Sequence, residues 1–188
     1  MAQTSDDLQS KICRAVRALL IEDGAGSTED TIAAPSSVLR ELPITAVMTG
    51  DGQPFDGPGN WQHQVNLDLR DDAVNAPDEA DTDTARIAAN ARCTKIVNAL
   101  MLSEDGHTLD YTARRLTELG RALAVDESEG ADEAMALRAA QNADMADFTV
   151  LWWEAAGQGA ATISAGESST YWQRDLQFNC VACNSAIS

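Results

Sequence analysis

Basic residues are scarce in this chain: 13 Lys and Arg stand against 30 acidic residues, for a net charge of −17. Gripping nucleic-acid phosphates depends on Lys and Arg, so sequence-specific nucleic-acid binding is not expected. Histidine is rarer still, at 2, and the 4 cysteines in 188 residues are too few for a disulfide framework. Long apolar runs are missing. None approaches the ~20 residues that span a bilayer, so no membrane partner is expected. The N-terminus, MAQTSDDLQSKICRAVRALL, places acids before its apolar positions. A signal peptide needs a basic start and an unbroken apolar run, and the expectation is a protein made in the cytoplasm. The nucleophile elbow G-x-S-x-G and the phosphate loop G-x-x-x-x-G-K-[ST] are both absent. DGQPFD, residues 51–56, has acids at calcium-loop positions but lacks the ligand series and the closing Glu. The sequence therefore assigns no catalytic residue, metal ligand or cofactor, and the protein is not expected to be an enzyme.

What is present is a foldable pattern. A chain of 188 residues with 44% hydrophobic content suits one α+β domain spanning 1–188. A chain of that size buries roughly 70% of its unfolded surface and needs no staples. Leu8, Ile12, Val16, Leu19 and Leu20 recur at helical spacing, with Asp6 or Asp7 as cap and Gly24 and Gly26 as stop. STEDTIAAPSS then reads as a loop. VLRELPITAVMTG, residues 38–50, reads as an extended segment, with Pro43 at an edge or a bend. DGQPFDGPGN, residues 51–60, is a turn-rich tip. After it WQHQVNLDL alternates: Trp61, His63, Val65, Leu67 and Leu69 face one way, and Gln62, Gln64, Asn66 and Asp68 the other. The two strands predict an antiparallel hairpin with a long tip.

RDDAVNAPDEADTD, residues 70–83, reads as an acidic loop leading to a helix over 84–103, with Ala89, Cys93, Ile96, Val97 and Leu100 inward. Residues 104–146 read as a helical insertion. Leu109, Ala113, Leu116, Leu119 and Leu123 suit one helix, the Ala-rich 131–143 another, and DESEG a turn between them. FTVLWWEA, residues 148–155, is a strand; GQGAATISAGESS, residues 157–169, a flexible loop; YWQRDLQFNCVACN, residues 171–184, the last strand. On that strand Trp172, Leu176, Phe178, Cys180 and Ala182 share one face, with Arg174 interrupting it. The expected fold is a mostly antiparallel sheet of about four strands, packed on an N-terminal and a central helix, in the order α-β-β-α-(αα)-β-β.

The terminal strand carries a C-x-x-C, Cys180 and Cys183. Residues three apart in a strand point to opposite faces. A zinc half-site needs both thiolates on one ion and a second ligand pair, and thioredoxin-type chemistry wants the pair at a helix start. These cysteines, like Cys13 and Cys93, therefore read as small core residues. His63, on an apolar strand face, reads as a core or interface residue. Trp152 and Trp153 are adjacent and face opposite ways, so one is core and the other covers a helix or meets another subunit. The candidate interface residues are Asp51, Phe55, Asp56, Trp61, Trp152, Trp153 and Trp172, and the candidate acidic surface or lumen holds Asp71, Asp72, Asp78, Glu79, Asp81 and Asp83.

The helix LQSKICRAVRALL, the strand WQHQVNLDL after its Gly/Pro tip, the helix ARIAANARCTKIVNAL and the strand YWQRDLQFNCVACN form a layout. That layout resembles the tail terminator and tail-completion proteins of long-tailed bacteriophages. The resemblance implies a structural virion protein of the phage neck, assembled in the host cytoplasm. It implies a homo-oligomeric ring, typically a hexamer, with the tail tube protein and the head–tail connector protein as partners. An acidic lumen would repel DNA phosphates and let the genome pass. Two alternatives stand beside it: another head–tail joining or minor neck protein, and a small acidic metal-dependent enzyme in which Asp68, Asp71 or Asp72 would converge on a divalent ion.

Overall fold

The computed structural model describes residues 5–28, 30–33, 42–72, 79–101, 109–123, 145–165 and 170–184. The expected Ala-rich helix over 131–143 and the DESEG turn lie outside them. Helix α1 (Ser5–Glu22) buries Leu8, Ile12, Val16, Leu19 and Leu20, the periodic residues of the sequence. It stops where Gly24 takes φ +65°, a left-handed conformation that costs glycine little. The Ala25 amide then donates to the Leu20 carbonyl and the Gly24 amide to that of Ile21, which satisfies the helix's last acceptors.

The described residues form one mixed sheet of seven strands in the order β1-β2-β4-β7-β5, with β3 beside β4 and β6 beside β7. The strands are β1 (Thr31–Ala33), β2 (Ile44–Thr49), β3 (Gln53–Pro54), β4 (Trp61–Asp72), β5 (Phe148–Gln158), β6 (Thr162–Ala165) and β7 (Thr170–Asn184). Among the described strands only the short β1–β2 pairing is parallel. The hairpin β2–β4 and the long ladders β4–β7 and β5–β7 are antiparallel. Helices α2 (Glu79–Met101) and α3 (Leu109–Ala122) are the other described helices. This is the expected α+β class, with more strands than the four expected.

The odd residues of β4 meet the even residues of β7: Val65 opposite Phe178, Leu67 opposite Leu176, His63 opposite Cys180. All six are buried. They form the face under the helices, where α1, α2 and α3 supply Leu19, Ile96 and Leu116 to one core. The described part of the expected insertion thus belongs to that core. Trp153 fills its middle, stacked on Phe178 with ring centroids 4.9 Å apart, its Nε1 donating to the Leu100 carbonyl at 2.9 Å. The other sheet face is polar, and side chains pair across its strands: Gln64 donates to Gln177, and Asn179 to Glu154 at 2.7 Å.

Several boundaries differ from expectation. The loop around residue 31 contains β1, and the loop after Gln158 contains β6; both are too short to show a period and exist because a longer neighbour offers backbone partners. Strand β4 continues through Arg70 to Asp72, where a loop was expected. Its charges are tolerated there because Arg70 pairs with Asp68 and Asp71 with Arg92. Helix α2 starts at Glu79 rather than at residue 84. Pro43 stands just before β2, where no ladder hydrogen bond needs its missing N–H.

Gly120 sits inside α3, where Gly→Ala ordinarily stabilises a helix by about 1 kcal/mol. Here a Cβ would lie 2.6 Å from Phe148 Cδ1 and 3.1 Å from Met145 Cε. Overpacking of that kind costs roughly 1–3 kcal/mol, so Gly120→Ala is expected to destabilise. Urea unfolding of the variant decides it; a rise in stability would mean that α3 does not press on Phe148.

Candidate interaction surface

The hairpin tip is held by its own backbone. The Gly50 amide donates to the Gln64 carbonyl and the Phe55 amide to that of Asn60, both at 2.9 Å. Gly57 and Gly59 take φ of 102° and 87°, and Asn60 Nδ2 donates to the Asp56 carbonyl. Strand β3 pairs Gln53 with Gln62 and Pro54 with Trp61. This fixes Phe55 so that its ring stacks on Trp152 of β5, with centroids 6.4 Å apart and planes 15° from parallel. Gln62 pairs with Val181, and Val181 with Trp152, so the two rings meet on the polar face at this end of the sheet. Val181 and Cys183 are buried on that face, where the other β7 residues are polar.

The stacked pair is not itself covered. Phe55 is 39% exposed, Trp152 37%, and Leu151 beside it 44%. A bulge between Val150 and Trp152 turns Leu151 and Trp152 outward together, while Trp153 stays in the core. Helix α3 guards only the start of the β5 edge: Thr117 Oγ1 accepts from the Val150 amide, and Arg121 Nε donates to the Phe148 carbonyl. Beyond Val150, no described strand pairs with β5 on its outer side. Edges of that length invite pairing with another chain.

The other candidates separate. Asp51 and Asp56 are exposed at the tip, and Asp51 Oδ1 accepts from Gln9 of α1 at 3.5 Å. Trp61 is half-buried against the core. Trp153 is wholly buried and is not part of the exposed surface, because its indole completes the core. Trp172 lies on the helix-covered face, far along β7 from Val181, and lines a crevice beneath α2. Asp71 ion-pairs with Arg92 at 3.0 Å. Burial, the larger influence, holds its carboxyl above the ordinary carboxylate range against the pull of Arg92. The Asp72 backbone pairs with Tyr171. Asp78 and the side chains of Asp72, Glu79, Asp81 and Asp83 lie outside the described residues.

Asp68 and Asp71, offered as metal ligands, lie on opposite faces of β4. Asp68 accepts from Arg70 at 2.6 Å and from Gln173 at 3.1 Å, while Asp71 faces α2. Among the described residues no three His, Cys, Asp or Glu side chains converge as ligands. All four cysteines are buried, and none is in a disulfide. Burial pushes the Cys13 thiol up to about 11 and the Cys180 thiol higher, so neither is a thiolate at neutral pH. Cys183 lies on the face opposite Cys180, so the two thiols do not converge. No described helix is long and apolar enough to cross a membrane. Compared with known proteins, the chain matches no family model and no curated sequence.

His63 is the one buried imidazole among the described residues. Its Nδ1 lies 3.2 Å from the Gly50 carbonyl, and its Nε2 is buried with no hydrogen-bond partner among them. Burial lowers its pKa from 6.5, opposed by the Gly50 hydrogen bond and by Asp51. The unfolded chain therefore takes up this proton first, and the folded state loses stability as pH falls below 6.5. The stability of the native protein relative to His63→Leu is expected to fall with falling pH, by up to about 1.4 kcal/mol per unit. A difference that is flat from neutral to acidic pH would show that His63 is not desolvated.

Proposed function

We propose that this chain is a structural assembly subunit that joins copies of itself, and a partner, through the outer edge of β5 and the hairpin tip. The observation that carries this reading is the exposed Phe55–Trp152 stack, continued by Leu151, beside an edge that α3 guards only as far as Val150. A stacked aromatic pair at an open sheet edge has the composition of an interface centre. A lone subunit would hide such an edge, because it templates uncontrolled pairing.

The specific role we infer is that of a tail-terminator-like protein of the phage neck. Where the β5 edge of one subunit meets a different surface of the next, the contact is heterologous, and a heterologous contact that closes makes a ring. The long tip would then meet the tail tube protein or the head–tail connector protein. The net charge of −17 per subunit would give the ring an acidic lumen that DNA crosses without sticking. The function is binding and capping, with no bond made or broken. A minor neck or head–tail joining protein would use the same surface and differ in its partner.

Native mass is the test. Six subunits of 20.0 kDa would weigh about 120 kDa. The expected result is a closed assembly, formed alone or on tail-tube ends, that EDTA leaves intact. Trp152→Asp is expected to weaken it at least tenfold, or by about 1.4 kcal/mol per contact. A protein that stays a monomer and ignores tube ends would contradict the proposal, and so would a Trp152→Asp variant that assembles as well as the native chain.

A further inference from the structure

Away from the sheet edge, a crevice of about 240 Å³ opens between α2 and the β4–β7 ladder. Leu69, Ala89, Ala161 and the Trp172 ring supply apolar wall, and Asp71, Arg86, Asn90 and Arg174 supply polar wall. Two features set it apart from a packing defect. First, it concentrates positive charge in a chain of −17. Arg86 and Arg174 line it, and Arg92 stands behind, donating to Asp71 and to Thr45 Oγ1. Among the described residues the acids nearby are Asp71, neutralised by Arg92, and Asp30, which accepts from the Ser27 amide and the Thr31 hydroxyl. Second, the Trp172 Nε1 is buried and has no hydrogen-bond partner among the described residues. A buried N–H without an acceptor is a costly thing for a fold to keep.

Arg174 is already oriented. Its guanidinium donates to Asn90 Oδ1 at 3.2 Å and contacts Cys93 Sγ at 3.4 Å, which fixes the plane on the crevice wall. A pre-oriented guanidinium suits a planar anion better than a mobile Lys would. A flat apolar wall with a few convergent polar groups is the usual make-up of a small-molecule site.

We propose that this crevice binds a small organic anion, a flat apolar body carrying one carboxylate or phosphate. The anion sits against Arg174, the body lies along Trp172, Leu69 and Ala89, and an acceptor atom of the ligand takes the Trp172 N–H. The volume admits a body the size of one aromatic ring and leaves no space for a dinucleotide. The site is distinct from the β5 edge and does not depend on the assembly reading.

The test uses the full-length ¹⁵N-labelled protein and follows the indole N–H signals, with Trp172→Phe to assign the one concerned. The probes are benzoate, phenyl phosphate and the cationic isostere benzamidine. The expected result is a saturable shift of the Trp172 signal with benzoate or phenyl phosphate, and none with benzamidine. The tighter of the two anions identifies the native headgroup. Arg174→Gln is expected to weaken binding about tenfold. Ala161→Phe, on an exposed loop at the crevice wall, is expected to abolish it, and unchanged signals from the other indoles will show that the variant folds. Failure to saturate with either anion would overturn the proposal, as water alone then fills the crevice. Equal response to benzamidine, or full affinity in Ala161→Phe, would overturn it as well.

Discussion

The rest of the molecule hangs on one ladder, the antiparallel pairing of β4 with β7 from Trp61 opposite Ala182 to Asp72 opposite Tyr171. Its register decides which side chains face the helices. A slip of one residue would turn either Val65 and Leu67 of β4 or Phe178 and Cys180 of β7 to solvent, and carry Gln64 or Asn179 into the core. On the other side of β7, its pairing with β5 puts Trp153 opposite Cys180, where it can stack on Phe178 and reach the Leu100 carbonyl. The β4–β7 register brings Asp71 under Arg92 and Arg174 under Asn90, which ties α2 to the sheet. The helices follow the ladder, because their apolar stripes are stable only against a face already fixed.

Two surfaces grow from opposite ends of β7. Near its C-terminus, β5 joins through Val181 and the hairpin tip folds over, so that Phe55 meets Trp152. Near its N-terminus, Trp172 and Arg174 form one wall of the arginine-rich crevice. The first is broad, apolar and open, as suits a protein partner. The second is narrow and polar, as suits a small anion. Their separation along one strand means that a ligand in the crevice need not compete with assembly.

Much of the fold was legible because it repeats. Helix α1 reads directly from Leu8, Ile12, Val16 and Leu19, and β4 from its alternation. The division between Trp152 and Trp153 follows from strand geometry, although only the structure tells which is inside. What escaped was short or non-local. Strands β1 and β6 are held by the backbone of a longer neighbour rather than by any pattern of their own. The end of β4 is hidden by Asp71 and Asp72, whose charges suggest a loop until Arg92 is seen. Phe55 and Trp152 could each be nominated as interface residues, but their stacking depends on the bulge at Leu151 and a chain reversal far away. The crevice left one trace, Arg174 breaking an otherwise apolar strand face. Its companions Arg86 and Asn90 come from a separate helix and carry no local signal.

The central claim is that the outer side of β5 is an interface. Amide hydrogen exchange along residues 152–158, followed as protein concentration is raised and tail tubes are added, tests it most directly. The account expects these amides to gain protection with concentration or tubes, while the β4–β7 ladder stays protected throughout. Amides of β5 that exchange at one unchanged rate under all those conditions would contradict it.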